Sequence, residues 1–269
     1  MSADPAPSVL VTGAGMGIGY ALARSFALAG SRVALNDLDP ALARVAAGTI
    51  NGETRSDRVV PYGVDVADVP AVRRMVAEAD ERFGGLHIAI ANAGLTNYGG
   101  FLDYTPEAFD RLTAVNLRGS YFTLQAAARV MLARQIKGRL LLMSSITGER
   151  AFVNLGAYGV TKAGLRHMAK SLALELGPHG LTVNAISPGA IVTERTLADD
   201  PNYEANWGAA APNQRVGQVS DIVNAALFLA SPHSRHITGQ TIIIDGGWTS
   251  TSPIPEDTPD MPAESSKLK

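Results

Sequence analysis

The sequence predicts an α/β fold, a single doubly wound parallel sheet of about seven strands with helices on both faces. Three observations predict it. Short, continuously apolar runs alternate with longer helix-like segments from one end of the chain to the other, the pattern of strands buried on both sides of a parallel sheet. The first of those runs leads straight into a glycine-rich turn, Thr12-Gly13-Ala14-Gly15-Met16-Gly17-Ile18-Gly19. The chain has 269 residues, enough for one large domain with a sizeable core.

In chain order, strands are expected at 9–12, 32–36, 59–64, 86–91, 138–144, 181–186 and 241–244. Each is a short run rich in Val, Ile, Leu and Ala. Helices are expected at 18–29, 40–47, 69–83, 106–134, 158–176 and 220–229, where apolar residues recur at helical spacing. Residues 1–7 read as an N-terminal extension and 8–248 as the domain. Within it, 191–217 is long and weakly periodic and contains Tyr203 and Trp207, so a lid or binding element is expected there. Residues 249–269 read as a Pro/Ser-rich tail, with disorder from about Glu256. No repeat of fixed period appears, which argues against a solenoid or propeller.

Composition narrows the function. A formal charge of −2 gives no electrostatic reason for binding nucleic acid or an anionic membrane. The absence of cysteine excludes disulfides, thiolate metal sites and thiol nucleophiles. Met1 to Ser8 lack the basic and apolar regions of a secretory signal, and no apolar stretch approaches the ~18 residues of a membrane span. A soluble, cytoplasmic protein is expected. His233 and His236 lie in a Pro- and Ser-containing loop with no third ligand nearby, so no metal site is expected.

The glycine turn points to a dinucleotide. Glycines permit a tight turn and close backbone approach to a pyrophosphate, and the helix that follows offers free N–H groups and the positive end of its dipole. A turn with close strand–helix packing would use the same residues. An acidic residue about 20 positions on is the further mark of such a site, and Asp37 stands there, after the second strand. Its carboxylate can accept from both ribose hydroxyls and would repel a 2′-phosphate; the alternative is a turn or cap residue ahead of Pro40. Neither Met16 nor Leu38 supplies the basic group an NADP site would need. NAD is expected.

Tyr158 and Lys162 lie one turn apart at the start of a helix. A free phenol titrates near about 10. An ammonium one turn away favours the phenolate, as a general acid/base working near neutrality requires.

Thr12–Gly19, Asn92-Ala93-Gly94, Asn116, Ser145, Tyr158-x-x-x-Lys162 and Ser187-Pro188-Gly189 occur in that order. As an ordered set they resemble the short-chain dehydrogenase/reductase family, over about residues 8–246. The resemblance implies a Rossmann-like fold and a set of roles. Tyr158 would exchange the substrate proton, and Lys162 would support it and hold the nicotinamide ribose. Ser145 would hydrogen-bond the substrate oxygen, and Asn116 would keep a water in a relay from Lys162 to solvent. Gly13, Gly15, Met16, Gly17, Ile18 and Gly19 would form the phosphate cradle, with Asp37 and Leu38 at the adenosine ribose. Asp65 and Val66 would meet adenine, and Asn92, Ala93 and Gly94 would shape the cofactor floor. Pro188, Gly189, Ile191 and Thr193 would hold the carboxamide. One departure exists: the family's Asn-Asn-Ala-Gly reads Ala91-Asn92-Ala93-Gly94 here. A homotetramer is also implied, and the small residues Ala157, Ala163, Gly164 and Ala169 on the Tyr158 helix suit close packing against a partner or a neighbour within the chain.

Thr96, Tyr98, 149–154 and 195–207 are expected to line the substrate side. The polar groups Glu149, Arg150, Asn154 and Arg195 tilt the expectation towards a sugar or polyol, because buried unpaired polar groups do not suit an apolar substrate. An aldose or polyol dehydrogenase is the leading reading. A 3-oxoacyl reductase, a hydroxysteroid dehydrogenase and a non-catalytic dinucleotide sensor are the alternatives.

Overall fold

A computed structural model of the protein describes residues 6–251. The first five residues of the expected extension, and the disorder expected from Glu256, fall outside the described residues. In chain order the elements are β1 (Ser8–Val11), α1 (Gly17–Leu28), β2 (Arg32–Asp37), α2 (Pro40–Thr54), β3 (Val59–Gly63), α3 (Val69–Phe83) and β4 (Ile88–Ala91). Next come α4 (Pro106–Thr113), α5 (Ser120–Ala133), β5 (Arg139–Met143), α6 (Gly156–Leu176) and β6 (Thr182–Pro188). The chain continues through β7 (Ile191–Val192), α7 (Glu194–Asp199), α8 (Tyr203–Ala210), β8 (Gly217–Gln218), α9 (Val219–Ala230) and β9 (Thr241–Ile244).

Seven strands form one parallel sheet in the order β3-β2-β1-β4-β5-β6-β9, as the alternating pattern predicts. The strand residues divide between its faces with period two. Leu10, Ala34, Ala89, Leu140 and Val183 pack with α3, α5 and α6, while Val9, Val11, Val33, Leu35, Ile90 and Leu141 pack with α1, α2 and α9. The strand order reverses at β1, which pairs with β2 on one side and β4 on the other. In open α/β sheets such a reversal leaves a crevice at the carboxyl ends of the strands.

In two places the structure adds what the sequence pattern does not show. The helix expected at 106–134 is present as one helical run to Ala133, but it contains a π-type turn, Ala114–Gly119, between α4 and α5. The wider turn takes Asn116 into full burial, and the Ser120 hydroxyl donates to the Asn116 carbonyl at 2.7 Å. The segment 191–217, weakly periodic in sequence, has secondary structure of its own. It contains β7, α7 and α8, and β7 pairs with β8 to tie its two ends together. Its helices were hard to foresee because α7 buries no residue and α8 buries only Gly208, so no apolar stripe exists to be read.

Among the described residues, no helix is long and apolar enough to cross a membrane. No group of three His, Asp or Glu side chains stands ready for a metal ion there.

Candidate active site

The carboxyl ends of five adjacent strands converge on a cavity of about 1220 Å³. Gly13 follows β1, Asp37 ends β2, Asn92 follows β4, Ser144 and Ser145 follow β5, and Pro188 ends β6; all six residues line it.

At the β1 end the backbone packs too closely for side chains. Gly13 has φ +61°, and a Cβ placed on it would stand 2.8 Å from Ala93 Cα. A Cβ on Gly19 would overlap the Gly13 carbonyl oxygen and come within 2.6 Å of Asn92 Nδ2. That amide holds the turn in place, donating to Thr12 O (2.9 Å) and Gly13 O (3.0 Å). The Thr12 hydroxyl accepts from the N–H groups of Asn92 and Ala93, both at 3.0 Å. No side chain caps α1, so the N–H groups of its first turn remain for a ligand. Asp37 accepts from Gly15 N (2.9 Å) and Asp39 N (3.1 Å). It therefore shapes the turn and also presents a carboxylate to the cavity, but it does not cap α2: that cap is Asp39, which accepts from Ala41 N at 2.8 Å.

Met16, Gly17, Ile18, Leu38, Asp65, Val66, Gly94, Ile191 and Thr193 also line the cavity. Gly15 stands behind the wall, where a Cβ would meet Leu42 at 2.6 Å. Asp65 pairs with Arg111 at 2.8 Å, and both line the cavity. Sequence reasoning misses Arg111, which lies in α4, 46 residues from its partner, where no local signal marks it. The uncapped helix, the glycine cradle and the acidic residue ending β2 are the features that fit a dinucleotide.

On the other side, α6 brings Tyr158 and Lys162 to one face. Lys162 Nζ stands 5.5 Å from the centre of the Tyr158 ring. Lys162 is buried, 4% exposed, and its ammonium donates to Met143 O at 2.8 Å, so a strand end fixes its position. Ser144 Oγ donates to Lys162 O (2.8 Å), tying the end of β5 to α6. Ser145 extends from the same strand end, its hydroxyl accepting from Thr147 N at 3.3 Å, and it lines the cavity with Tyr158 and Lys162. Asn116 lies behind them, fully buried. Its amide donates to Leu95 O (3.0 Å) and Thr161 Oγ1 (3.1 Å) and accepts from Leu95 N (2.8 Å). It thereby joins the segment after β4 to α6.

A family model described as "Enoyl-(Acyl carrier protein) reductase" matches residues 13–249, nearly the whole described domain. The chain belongs to the short-chain dehydrogenase/reductase family. It is 35% identical over 255 residues to a sorbitol dehydrogenase of Cereibacter sphaeroides, covering 90% of this chain and 98% of that one. It is also 35% identical to an L-rhamnose 1-dehydrogenase (NAD(P)(+)) of Azotobacter vinelandii, over 89% and 95% of the two chains. A short-chain type dehydrogenase/reductase from Mycobacterium marinum superposes with a TM-score of 0.85 at 34% identity, over 91% of this chain and 96% of that one. As a member of this family the chain is an oxidoreductase acting on CH–OH groups with a nicotinamide dinucleotide.

The residues expected on the substrate side of this dehydrogenase divide. Thr96, Tyr98 and Arg195 line the cavity; Glu149 and Asn154 do not. Glu149 pairs with Arg166 at 2.5 Å. Asn154 is exposed, with φ +63°, and its carbonyl accepts from Gly99 N at 3.0 Å. Arg150 turns to the C-terminal segment, donating to Thr249 O (2.6 Å) and Thr251 O (3.0 Å). Of the four polar groups behind the sugar expectation, Glu149 and Arg150 are therefore committed elsewhere, Asn154 lies outside the cavity, and Arg195 lines it. Asp199, Asp200, Tyr203 and Trp207 line the cavity in their neighbourhood. Burial pushes the Tyr203 phenol up to about 12, with Tyr98 adding to the effect.

On α6, Gly164 leaves room for Leu117 of the same chain, which a Cβ would meet at 2.8 Å. Ala169 is fully buried. At these two positions a neighbour within the chain accounts for the small residue.

Proposed function

We propose that this protein is an NAD-dependent dehydrogenase of an aldose or polyol, with Tyr158, Lys162, Ser145 and Asn116 as its catalytic set. The observation that carries the reading is the meeting of Ser145, Tyr158 and Lys162 in one cavity whose far end is the glycine cradle and Asp37. A bound nicotinamide would supply the hydride acceptor. Gly13, Gly17, Gly19 and the first turn of α1 would hold the phosphates. Asp37 would accept from the ribose hydroxyls, and Asp65 and Val66 would border the adenine. Pro188, Gly189, Ile191 and Thr193 would border the carboxamide. The Ser145 hydroxyl would hydrogen-bond the substrate oxygen while Tyr158 Oη takes the hydroxyl proton. Lys162, fixed by the Met143 carbonyl, would hold positive charge beside the phenolate. Asn116 would keep Leu95 and Thr161, and with them the surroundings of Lys162, in place.

Support for a sugar comes from the sorbitol and L-rhamnose dehydrogenases among the relatives. Thr96, Arg195, Asp199 and Asp200 give the cavity hydroxyl-binding groups. A cytoplasmic homotetramer fits the reading. Apolar Phe109, Tyr121 and Leu174 stand exposed on α4, α5 and α6, the kind of surface a partner copy covers.

Absorbance at 340 nm should rise when NAD meets sugars or polyols and stay flat with acyl thioesters or hydroxysteroids. Turnover confined to the acyl or steroid substrates would defeat the reading. In the same assay, Asp37→Ala should narrow the preference for NAD over NADP by about tenfold, roughly 1.4 kcal/mol of discrimination. An unchanged ratio would leave Asp37 with only its contacts to Gly15 and Asp39.

A further inference from the structure

Four aromatic rings gather beside the catalytic residues, drawn from three separate parts of the chain. Phe152 follows Ser145 by seven residues, Tyr203 and Trp207 lie on α8, and Trp248 lies just after β9. Phe152 and Trp248 stack at 5.2 Å with 14° between their planes. Trp207 leans on both, 6.4 Å from Phe152 and 6.3 Å from Trp248, and Tyr203 adjoins Trp207 at 6.0 Å. Phe152, Tyr203 and Trp207 line the cavity, whereas Trp248 does not. Trp248 is therefore a backing residue. Its segment is fastened from two sides. Asp245 accepts from Gly247 N (2.9 Å) and Thr249 N (2.7 Å), and Arg150 donates to the carbonyls of Thr249 and Thr251.

A cavity needing only apolar contact could use flexible aliphatic side chains. Here large rigid rings are buttressed from behind, and the same cavity has the polar groups Arg195, Asp199 and Asp200. Aromatic faces are electron-rich and attract the positive edges of C–H groups. A pyranose meets both requirements, since its ring presents a patch of C–H groups on its face and hydroxyls around its rim. An open-chain hexitol is flexible, displays hydroxyls on every side and must lose more conformational freedom on binding.

We propose that the corner formed by Phe152, Tyr203 and Trp207, held by Trp248, receives the C–H face of a ring sugar and selects pyranoses over open-chain polyols. The inference rests on the sugar dehydrogenase reading above and names its substrate class. In the reaction so assigned, the C1–H bond of the pyranose breaks and its electron pair leaves as hydride to NAD. The C1 hydroxyl gives its proton to Tyr158, and C1=O forms, so the products are a lactone, NADH and one proton.

The test compares matched pairs that differ in ring closure, glucose against sorbitol and galactose against galactitol, with NAD. Wild-type kcat/KM should favour the pyranose of the preferred pair by at least about tenfold. Trp207→Ala should raise the pyranose KM about tenfold, the loss of roughly 1.4 kcal/mol, with kcat within about threefold and the hexitol KM little changed; Trp207→Phe should recover most of the loss. Phe152→Leu supplies a second variant should Trp207→Ala fold poorly. The chain contains two tryptophans, and both stand in this cluster, so wild-type tryptophan emission should respond to the preferred pyranose and not to its hexitol. Hexitols used as well as pyranoses, or a Trp207→Ala that shifts both classes alike, would overturn the inference and leave the sugar dehydrogenase reading standing. NADH formed from none of the four compounds, with no emission response, would overturn the inference; acyl or steroid turnover alone would also remove the reading beneath it.

Discussion

Tyr158→Phe should lose about two to four orders of magnitude in turnover, the usual contribution of a positioned proton-transfer group, while binding NADH as wild type does. Only the phenol oxygen is removed, and the ring and its place beside Lys162 remain. The comparison is discriminating because the cavity holds two other phenols. Tyr203, held near 12 by burial, stays neutral throughout the working range and is a poor acceptor for a substrate proton. Tyr98 is 70% exposed, with neither the burial nor the fixed ammonium neighbour of the Tyr158–Lys162 pair. Neither can take over. Steady-state rates beside an NADH fluorescence titration measure the two properties separately. Turnover within about threefold of wild type would remove Tyr158 from the mechanism.

Gly19→Ala should weaken NADH binding by at least about 100-fold, some 2.7 kcal/mol, and lower the melting temperature. The added methyl group has nowhere to go. It meets the Gly13 carbonyl and the Asn92 amide, and the amide is committed to two carbonyls of the turn. Gly13 cannot withdraw either, because it already lies against the Ala93 backbone. Gly48→Ala is the control of opposite sign. Gly48 lies within α2 and is exposed, with nothing within 4 Å of an added Cβ, so alanine should stabilise the helix by about 0.5–1 kcal/mol. Calorimetry on both variants, with an NADH titration of the first, checks the pair. A Gly19→Ala protein that binds and melts like wild type would show that the turn yields.

Much of this architecture was open to reading because its signals are local. The strand runs are apolar throughout, as a sheet covered on both faces demands. The turn from Thr12 to Gly19 has glycine wherever the backbone is crowded, at Gly13 and Gly19 above all. Tyr158 and Lys162 share a helix face because of their spacing alone. Signals between distant residues were silent. Glu149 has the sequence position of a pocket residue, but Arg166, 17 positions later, holds it outside the cavity lining. Arg111 had no motif, yet it pairs with Asp65 in the cavity lining. Asn116 was marked by its place in an ordered set, but the π-type turn that buries it was hidden within a helix-like pattern.

The sequence by itself determined the parallel sheet, the glycine turn, the acidic residue ending β2 and the tyrosine–lysine pair, because each depends on spacings of a few residues along one element. Only the tertiary structure decided which polar side chains face the cavity and that Phe152, Tyr203, Trp207 and Trp248 form one cluster. Those relations join segments up to 96 positions apart, as Phe152 and Trp248 are, and no short-range period encodes them. They arise when strand ends and the segments beyond them are brought to the same edge of the sheet.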